Sequence, residues 1–256
     1  MLNLIISGCN GFAGQAVAAV AAEDPEVKIV AGFDIDARQL DSFPVYSSPD
    51  GFSGKADIVV DFSNPSALED LLSFGLSGST PLVLCATGYT DAQIAGIADA
   101  AERIPVFRSG NTSLGINLLV DLIRRSCAVL GDAFDVEIVE RHHRRKIDAP
   151  SGTALMLAGA AAAALPYDAQ YVFERHGRRA PREKREIGIS SVRGGTIVGE
   201  HDVIFAGPHE VIELRHSSAS NEVFARGALR AAKFLAGVGK PGLYDMSDVL
   251  FLTEKQ

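Results

Sequence analysis

The sequence predicts an α/β protein with a doubly wound parallel sheet, plus a smaller α+β region with an open mixed sheet. Three observations predict this fold. In the first half, short runs that are apolar on both faces alternate with helical patterns, and a glycine-rich turn joins the first run to the first helix. From Ile187 onward, three β-patterned runs follow one another without helices. A chain of 256 residues is long enough for two buried cores.

The parallel sheet is predicted from apolar runs that lack a polar face. Its five strands are expected at Leu2–Ile6, Lys28–Phe33, Asp57–Phe62, Leu82–Cys85 and Val106–Phe107. The helical patterns between or after them cover Ala16–Ala22, Ser66–Leu76, Asp91–Arg103 and Leu114–Leu130. Strands that are apolar on both faces need helices on both sides of the sheet, which is the doubly wound arrangement.

The second region begins with a predicted strand at Asp135–Glu140, a helix at Ser151–Leu165 and a polar loop at Tyr167–Glu186. An antiparallel meander is predicted next, with turns at Arg193–Gly195 and Gly207–His209. Its strands are Ile187–Arg193, Thr196–Phe205 and Glu210–Ser217. With one helix to cover it, this sheet would expose a face, which favours oligomerisation.

The carboxyl-terminal part returns to a helical pattern at Asn221–Leu235, followed by a tail that ends near Val249–Leu252. Because this helix follows the meander, we expect it to pack on the first sheet and make the first domain discontinuous. The predicted domains are residues 1–113 with 222–256, and residues 114–221.

Composition excludes several classes of protein. A hydrophobic fraction of 47% with 22% charged residues excludes a disordered chain. A formal net charge of −8 argues against nucleic-acid or membrane-surface binding, and no apolar run reaches the roughly 18 residues of a membrane helix. Three widely spaced cysteines form neither a zinc pair nor a disulfide framework, so we expect a reduced, cytoplasmic environment.

The glycine-rich turn reads Gly8-Cys-Asn-Gly11-Phe-Ala-Gly14 and leads from the first strand into the first helix. Such a turn brings backbone N–H groups close to a pyrophosphate. Asp34 follows the second strand, 20 residues after Gly14, where a ribose hydroxyl needs a partner. The pattern therefore predicts a Rossmann-like dinucleotide site. The alternative is a tight turn that binds no ligand.

The acidic residue also bears on cofactor choice. A carboxylate at Asp34 accepts a hydrogen bond from a ribose hydroxyl and repels a 2′-phosphate, and Ile35 follows it rather than arginine. Arg38 is close enough in sequence to soften that repulsion. We therefore predict a preference for NADH, with use of NADPH left open.

Two later strand ends, Cys85–Gly88 and Gly110–Ser113, are expected at the same crevice, because ligands of open α/β sheets bind outside the carboxyl ends of the strands. A third strand end, Asp61–Pro65, precedes a predicted helix start. Ordinary loop composition is the alternative explanation for each segment taken alone.

The run from Glu140 to Thr153 contains two histidines, one lysine and three arginines directly before a Pro-Ser-Gly-Thr helix start. Histidine and lysine can deliver protons, and a helix start binds anions. Together they predict a site that holds a small dicarboxylate and protonates it. One alternative is that His142 and His143 are polar strand residues whose hydrogen bonds are satisfied within the protein. Zinc is disfavoured because no second histidine or cysteine pair completes a tetrahedral site, so no metal is expected.

The same run, Glu140-Arg-His-His-Arg-Arg-Lys-Ile-Asp-Ala-Pro-Ser-Gly-Thr-Ala154, resembles the E-x-H-H-x-x-K-x-D-A-P-S-G-T-A pattern of the 4-hydroxy-tetrahydrodipicolinate reductase family, also called dihydrodipicolinate reductase. The resemblance extends along nearly the whole chain. Its other segments are Gly8–Gly14, Thr87-Gly88, Asn111–Asn117, Ser191–Arg193, Val198–His201 and Gly242–Met246.

The resemblance implies a nicotinamide-dependent reduction in the diaminopimelate and lysine pathway. In that family the substrate is a cyclic dicarboxylate, and a homotetramer assembles through the carboxy-terminal sheet. By motif position, His142 exchanges a proton, Lys146 is the second proton donor, and His143, Gly152 and Thr153 bind the substrate. Residues 1–113 and 222–256 then form the dinucleotide-binding domain, and residues 114–221 the substrate-binding and oligomerisation domain.

On the cofactor side, the resemblance assigns contacts to three strand ends and the acidic residue. The matching residues are Gly8, Cys9, Asn10, Gly11, Phe12, Ala13, Asp34, Cys85, Ala86, Thr87, Gly110, Asn111, Thr112 and Ser113. Two departures concern this set. Cys85-Ala-Thr-Gly88 stands where relatives read G-T-T-G, so Cys85 is expected to narrow the pocket, and Ile35 replaces an arginine associated with a 2′-phosphate.

Two other functions stay open from the residues. One is a different two-domain dehydrogenase that acts on a small anionic imine or aldehyde. The other is a dinucleotide-sensing protein that has lost turnover. The presence of both His142 and Lys146 beside the helix start disfavours a sensor, because a sensor needs no proton donor.

Overall fold

The computed structural model describes residues 1–251, which divide into two units. The first unit contains Met1–Leu114 together with the described residues from Glu222 onward, and the second contains Gly115–Asn221. Residues 252–256, which end the predicted first domain, lie outside the described part of the chain, as does Leu252 at the end of the predicted tail. No helix within residues 1–251 is long and apolar enough to cross a membrane.

The first unit is built on a seven-stranded parallel sheet with the order β12-β6-β5-β4-β1-β2-β3. Its strands are β1 (Leu2–Ser7), β2 (Val27–Phe33), β3 (Val45–Tyr46), β4 (Ile58–Asp61), β5 (Leu82–Leu84), β6 (Pro105–Arg108) and β12 (Gly242–Tyr244). The central strands β4 and β5 are buried at every position, as their apolar runs Ile58–Val60 and Leu82–Leu84 predict, and β4 ends in the buried Asp61.

Helices cover both faces of this sheet. They are α1 (Phe12–Ala22), α2 (Leu68–Gly78), α3 (Asp91–Ala101), α6 (Glu222–Val238) and α7 (Met246–Phe251). Helices α1 and α6 share one apolar cluster with the sheet, whereas α2 and α3 share a separate one. The predicted doubly wound parallel sheet is therefore confirmed.

Two strands and one α-helix of the first unit were not predicted: β3, β12 and α7. The two strands are only two and three residues long, so neither has room for a periodic pattern. Each pairs with one edge of the sheet, β3 with β2 and β12 with β6. Each of them forms because a neighbouring strand offers unpaired N–H and C=O groups. Their formation therefore depends on the tertiary structure and not on the local sequence.

The second unit contains a five-stranded mixed sheet with the order β11-β10-β7-β9-β8. Its strands are β7 (Asp135–His142), β8 (Gln170–Val172), β9 (Glu186–Arg193), β10 (Gly199–Ala206) and β11 (Val211–Ser218). Two helices, α4 (Leu114–Leu130) and α5 (Gly152–Ala164), form one apolar cluster with this sheet. The expectation that one helix covers the sheet is therefore wrong.

The predicted antiparallel meander is also wrong in part. Strands β10 and β11 form the expected hairpin across Gly207–His209. Strand β9, however, pairs in parallel with β7, so β7 lies between β9 and β10, and Arg193–Gly195 is not a hairpin turn. Turn glycines report only local backbone freedom. They do not show whether the connection returns beside its own strand or crosses another.

Helix α6 approaches the end of the first sheet closely at one point. A Cβ atom at Gly227 would lie 1.7 Å from the carbonyl oxygen of Thr112. The hydroxyl of Thr112 also donates to the carbonyl of Phe224, at 2.7 Å. A backbone carbonyl cannot yield as a flexible side chain can, so any larger residue at Gly227 must displace the helix.

We therefore expect Gly227→Ala to lower the free energy of unfolding by roughly 1–3 kcal/mol, the usual cost of forcing atoms into a packed core. Gly237 is a matched control, because it lies in the same helix and its Cβ position meets nothing within 4 Å. Gly237→Ala should leave stability unchanged or raise it by up to about 1 kcal/mol. Urea unfolding measures both, and equal effects of the two changes would contradict the close approach.

Candidate active site

The glycine-rich loop leaves β1 at Ser7 with a conformation that only glycine adopts readily. Gly8 has φ +74°, and a Cβ there would lie 2.8 Å from backbone atoms of Ser63. Helix α1 starts at Phe12, and its N-cap Gly11 has no side chain to cap the first N–H groups. These N–H groups lack carbonyl partners within the helix, so they can accept an anion.

Asp34 is fixed beside this loop by hydrogen bonds to both carboxylate oxygens. The N–H of Asn10 donates to one oxygen at 2.9 Å, and the N–H of Asp36 donates to the other at 3.0 Å. The Asn10 amide also donates to the carbonyls of Asp36 and Arg38, at 2.6 and 2.9 Å. Asn10 therefore ties the segment after β2 to the glycine loop.

A cavity of about 610 Å³ opens at this edge of the first sheet, within the first unit. Gly8, Gly11, Asp34, Ile35 and Ser63 are among its lining residues. The volume is in the range of small-molecule sites. Bare helix N–H groups for a pyrophosphate, a carboxylate for a ribose and a cavity between them fit a dinucleotide.

Two cysteines of the predicted cofactor set have buried side chains. Cys9 and Cys85 both belong to the apolar cluster beneath α1 and α6. Burial raises the pKa of the Cys9 thiol to about 11 and holds the pKa of the Cys85 thiol well above its ordinary value. Both thiols are therefore neutral core groups, and a cofactor could meet these residues only through their backbone.

The other predicted contact segments lie at neighbouring strand ends. Thr87 is exposed, and its methyl carbon is 3.3 Å from the Cβ position of Gly110. Asn111, Thr112 and Ser113 are buried, and the Asn111 side chain accepts the N–H of Ser113 at 3.0 Å. A cofactor contact by any of these residues stays a prediction.

In the second unit, Glu140 and His142 share one face of β7, since strand residues two apart point to the same side. Glu140 is completely buried. One of its oxygens lies 2.5 Å from His142 Nδ1, and both accept hydrogen bonds from the Arg193 guanidinium at 2.7 Å. The N–H of Ser151 also donates to Glu140, at 3.2 Å.

These contacts decide the protonation states of Glu140 and His142. Burial alone would raise the pKa of Glu140, but hydrogen bonds from Arg193, Ser191 and His142 outweigh it and lower the pKa to about 2. Burial lowers the pKa of His142, Glu140 partly offsets this, and the charges of Lys146 and Arg193 lower it further. An ionised Glu140 can only accept, so neutral His142 carries its proton on Nδ1 and leaves a lone pair on Nε2.

The start of α5 is organised by Ser151 and His201. Ser151 is the N-cap, and its hydroxyl accepts the N–H of Ala154 at 3.1 Å. His201 Nε2 lies 3.1 Å from the same hydroxyl, and the His201 ring packs edge-on against His142 with centroids 5.2 Å apart. Gly152 faces open space, since nothing lies within 4 Å of its Cβ position. The start of α5 at Gly152 thus has room for an anion.

Lys146 and His143 lie in the loop between β7 and α5. The Lys146 ammonium pairs with Asp148 at 2.8 Å, and the Lys146 N–H donates to the carbonyl of His143 at 3.1 Å. His143 is half-buried, and among the described residues its buried Nδ1 has no hydrogen-bond partner. Both side chains can therefore still bind a ligand. Substrate binding by His143 and proton donation by Lys146 stay predictions.

The three arginines of the basic run differ in surroundings. Arg141 lies on the opposite face of β7 from His142 and pairs with Asp202 at 2.5 Å. Arg144 and Arg145 are exposed. Within residues 1–251, no three histidine, cysteine, aspartate or glutamate side chains are arranged to hold a metal ion.

Sequence reasoning gave no role to Glu140, Ser151, Arg193 or His201, although each was quoted in a motif. For Glu140 a signal was present, because its spacing of two residues from His142 places both on one strand face. Arg193 and His201 come from β9 and β10, and only the sheet order brings them to the site.

Comparison with known proteins gives the family. A model of the dihydrodipicolinate reductase amino terminus matches residues 2–112, and a model of the carboxy terminus matches residues 115–250. The chain belongs to the dihydrodipicolinate reductase family. Dihydrodipicolinate reductases are also called 4-hydroxy-tetrahydrodipicolinate reductases, and curated relatives carry the latter name. One from Caldanaerobacter subterraneus subsp. tengcongensis is 50% identical over 98% of both chains.

A second 4-hydroxy-tetrahydrodipicolinate reductase, from Clostridium perfringens, is 44% identical over 98% of this chain and 99% of its own. Among solved structures, the dipicolinate-bound dihydrodipicolinate reductase from Paenisporosarcina sp. TG-14 superposes with a TM-score of 0.81. It covers 96% of this chain and 97% of its own, at 24% identity. This likeness supports the fold of the family.

His201 makes the stability of the protein depend on pH. Burial, reinforced by His142, lowers the pKa of His201 to about 4 from an ordinary 6.5. Between these values the unfolded chain binds a proton that the folded protein does not. The stability contributed by neutral His201 is therefore complete above pH 6.5 and is lost as the pH falls towards 4.

We expect the drop in unfolding free energy from pH 7 to pH 5 to be about 2 kcal/mol smaller in His201→Gln than in the wild type. Urea unfolding at both pH values measures it. His209 is exposed, so His209→Gln serves as the control and should keep the wild-type dependence. If the unfolding free energy of His201→Gln fell with pH as much as that of the wild type, the neutral, buried state of this histidine would be contradicted.

Proposed function

We propose that this chain catalyses the nicotinamide-dependent reduction of 4-hydroxy-tetrahydrodipicolinate to tetrahydrodipicolinate in diaminopimelate and lysine biosynthesis. The observation that carries the proposal is the arrangement of the run from Glu140 to Thr153. It surrounds a buried Glu140–His142 pair with a lysine and an open helix start. The names of relatives that are 50% and 44% identical over almost the full chain support the same reaction.

The substrate is a cyclic dicarboxylate, and the second unit has groups for both carboxylates. The N–H groups of Gly152 and Thr153 belong to the first turn of α5, where the helix dipole favours an anion. His143 and the Lys146 ammonium are the proposed partners of the remaining carboxylate and of the reacting ring. The Ser151 hydroxyl already accepts the N–H of Ala154, so ligand binding need not disturb the cap.

A bound nicotinamide would supply the hydride, and this chain's residues would supply the proton that each turnover consumes as water is lost. Glu140 holds the Nδ1–H of His142, so proton exchange with substrate takes place at Nε2. The lowered pKa of His142 makes it neutral before substrate binds. Two substrate carboxylates nearby would favour its protonated form, which couples proton uptake to binding. Lys146 is the second proposed proton donor.

The proposed cofactor site is the glycine loop, Asp34 and the strand ends of the first unit. NADH is the preferred cofactor in this proposal, with NADPH as the second. The Asp34 carboxylate is held by two backbone N–H groups, while the Arg38 guanidinium pairs with Asp36 at 2.5 Å. An arginine that is engaged by a neighbouring carboxylate offers less to a 2′-phosphate.

The proposal assigns cofactor binding to residues 1–113 and 222–256, and substrate binding and assembly to residues 114–221. It includes a homotetramer that forms through the sheet of the second unit. Strand β11 forms an edge of that sheet, and its alternate residues Val211, Glu213, Arg215 and Ser217 are exposed along one face. Within residues 1–251 this row is exposed, so a second copy of the chain could contact it.

The test of the reaction is oxidation of NADH with the condensation product of pyruvate and aspartate semialdehyde. His142→Gln and Lys146→Met should each lower kcat by roughly 10²–10⁴-fold, the usual effect of losing a positioned acid. Thr153→Val should mainly raise KM for the substrate, since a binding contact is lost. Arg144→Gln is the matched control, an exposed cation of the same run, and should keep wild-type kcat.

Normal kcat in His142→Gln would contradict the proton role. Tight NADH binding by the wild type without any turnover would contradict the reaction and favour a sensor.

Cofactor preference is a separate prediction. Because Asp34 would repel a 2′-phosphate, we expect kcat/KM to be higher with NADH than with NADPH. Asp34→Asn should lower the ratio of kcat/KM with NADH to kcat/KM with NADPH by roughly tenfold or more, mainly because KM for NADPH falls. Asp50→Asn, which changes the same charge in a short turn of the first unit, is the control. A wild-type preference for NADPH would overturn this part of the proposal.

A further inference from the structure

Arg193 occupies a position that the sheet order creates. It ends β9 and lies in register beside His142 on the parallel strand β7. The N–H of the following residue, Gly194, donates to the carbonyl of His142 at 2.9 Å. The backbones of the two strands are thus joined at the residue that the proposed reaction uses for proton exchange.

The Arg193 side chain binds Glu140 with both ends of its guanidinium. Nη1 donates to Oε2 and Nη2 donates to Oε1, each at 2.7 Å. The oxygen that faces Nη1 also faces His142 Nδ1 at 2.5 Å. A two-point contact fixes the rotation of the carboxylate, and a single charged contact does not.

The same guanidinium also reaches the loop that carries the second proton donor. Nη2 donates to the carbonyl of Asp148 at 2.6 Å. The Asp148 carboxylate in turn pairs with the Lys146 ammonium at 2.8 Å. Arg193 therefore contacts the partner of His142 and the partner of Lys146 with one rigid planar group.

We propose that Arg193 is a positioning residue that holds the two proton-exchanging groups, His142 and Lys146, in one fixed arrangement. It acts through Glu140 on the imidazole and through Asp148 on the lysine loop. The inference rests on the proposed function for its kinetic consequence. Its consequence for the imidazole itself does not depend on any reaction.

Arg193 also balances the charge at His142. The charged and titratable groups around this imidazole are Glu140 on β7, Arg193 on β9, His201 on β10, and Lys146 with Asp148 on the loop. Without Arg193, the buried Glu140 carboxylate would lose its guanidinium partner and interact more strongly with protonated His142. The imidazole would then bind a proton more readily.

The test compares Arg193→Gln, Arg193→Lys and Arg141→Gln. Arg141 is the matched control, because it also lies in this sheet and pairs across strands with a carboxylate, Asp202, but on the opposite face of β7. Nitrogen-15 NMR of labelled histidine gives the pKa and tautomer of His142 without substrate. Steady-state kinetics with NADH, together with hydrogen exchange of the 144–149 amides, reports on the lysine loop.

In Arg193→Gln we expect the His142 pKa to rise by about one unit. We also expect kcat to fall roughly 10²-fold, the effect of a displaced catalytic group, and amide exchange in the loop to quicken. Arg193→Lys keeps the charge, so the His142 pKa should stay near the wild-type value while kcat still falls at least tenfold. NADH affinity should change less than about twofold in each variant, and Arg141→Gln should match the wild type.

An unmoved His142 pKa in Arg193→Gln, wild-type kcat in both Arg193 variants, or an equal loss in Arg141→Gln would overturn the inference. If Arg193→Gln does not fold, Arg193→Lys carries the kinetic and exchange tests. Absence of turnover in the wild type would instead count against the proposed function. The NMR titration would still decide whether Arg193 sets the state of His142.

Discussion

The buried carboxylate of Glu140 is the constraint on which the second unit depends. A completely buried anion is costly unless charged and hydrogen-bonding partners surround it. Three elements supply them: Arg193 from β9, the Ser151 N–H at the start of α5, and His142 from β7 itself. Satisfying one charge therefore brings together the strands and the helix start that the proposed chemistry needs.

The first unit follows a different constraint, that of a parallel sheet. Its strands end at one edge, and close approach of the chain at that edge requires glycine at Gly8. Asn10 then joins the acidic segment after β2 to the same loop through backbone and amide hydrogen bonds. The two units thus reach ligand-binding capacity by separate means. One uses backbone N–H groups and a cavity, and the other uses buried side-chain charge.

Much of this could be predicted because local pattern and tertiary structure agree. The apolar runs around Val59 and Val83 became β4 and β5, and the Pro-Ser-Gly-Thr segment became the start of α5. The failure at β9 has a physical reason. Its neighbour is fixed by which strands bury Ile187 and Ile189 against α5, and no local turn residue reports that choice. The short edge strands escaped detection because their existence depends on a partner.

The sequence by itself determined the doubly wound sheet, the glycine loop with Asp34, and the choice of His142 and Lys146 as proton-exchanging candidates. Residue type, spacing and strand period carry the information for the sheet and the glycine loop along the chain. The resemblance to the family motif is what singled out His142 and Lys146. The tertiary structure alone decided that Arg193 and His201 join them, that Arg141 does not, and that the Cys9 and Cys85 thiols are neutral core groups. These properties depend on burial and on contacts between residues that are distant in sequence.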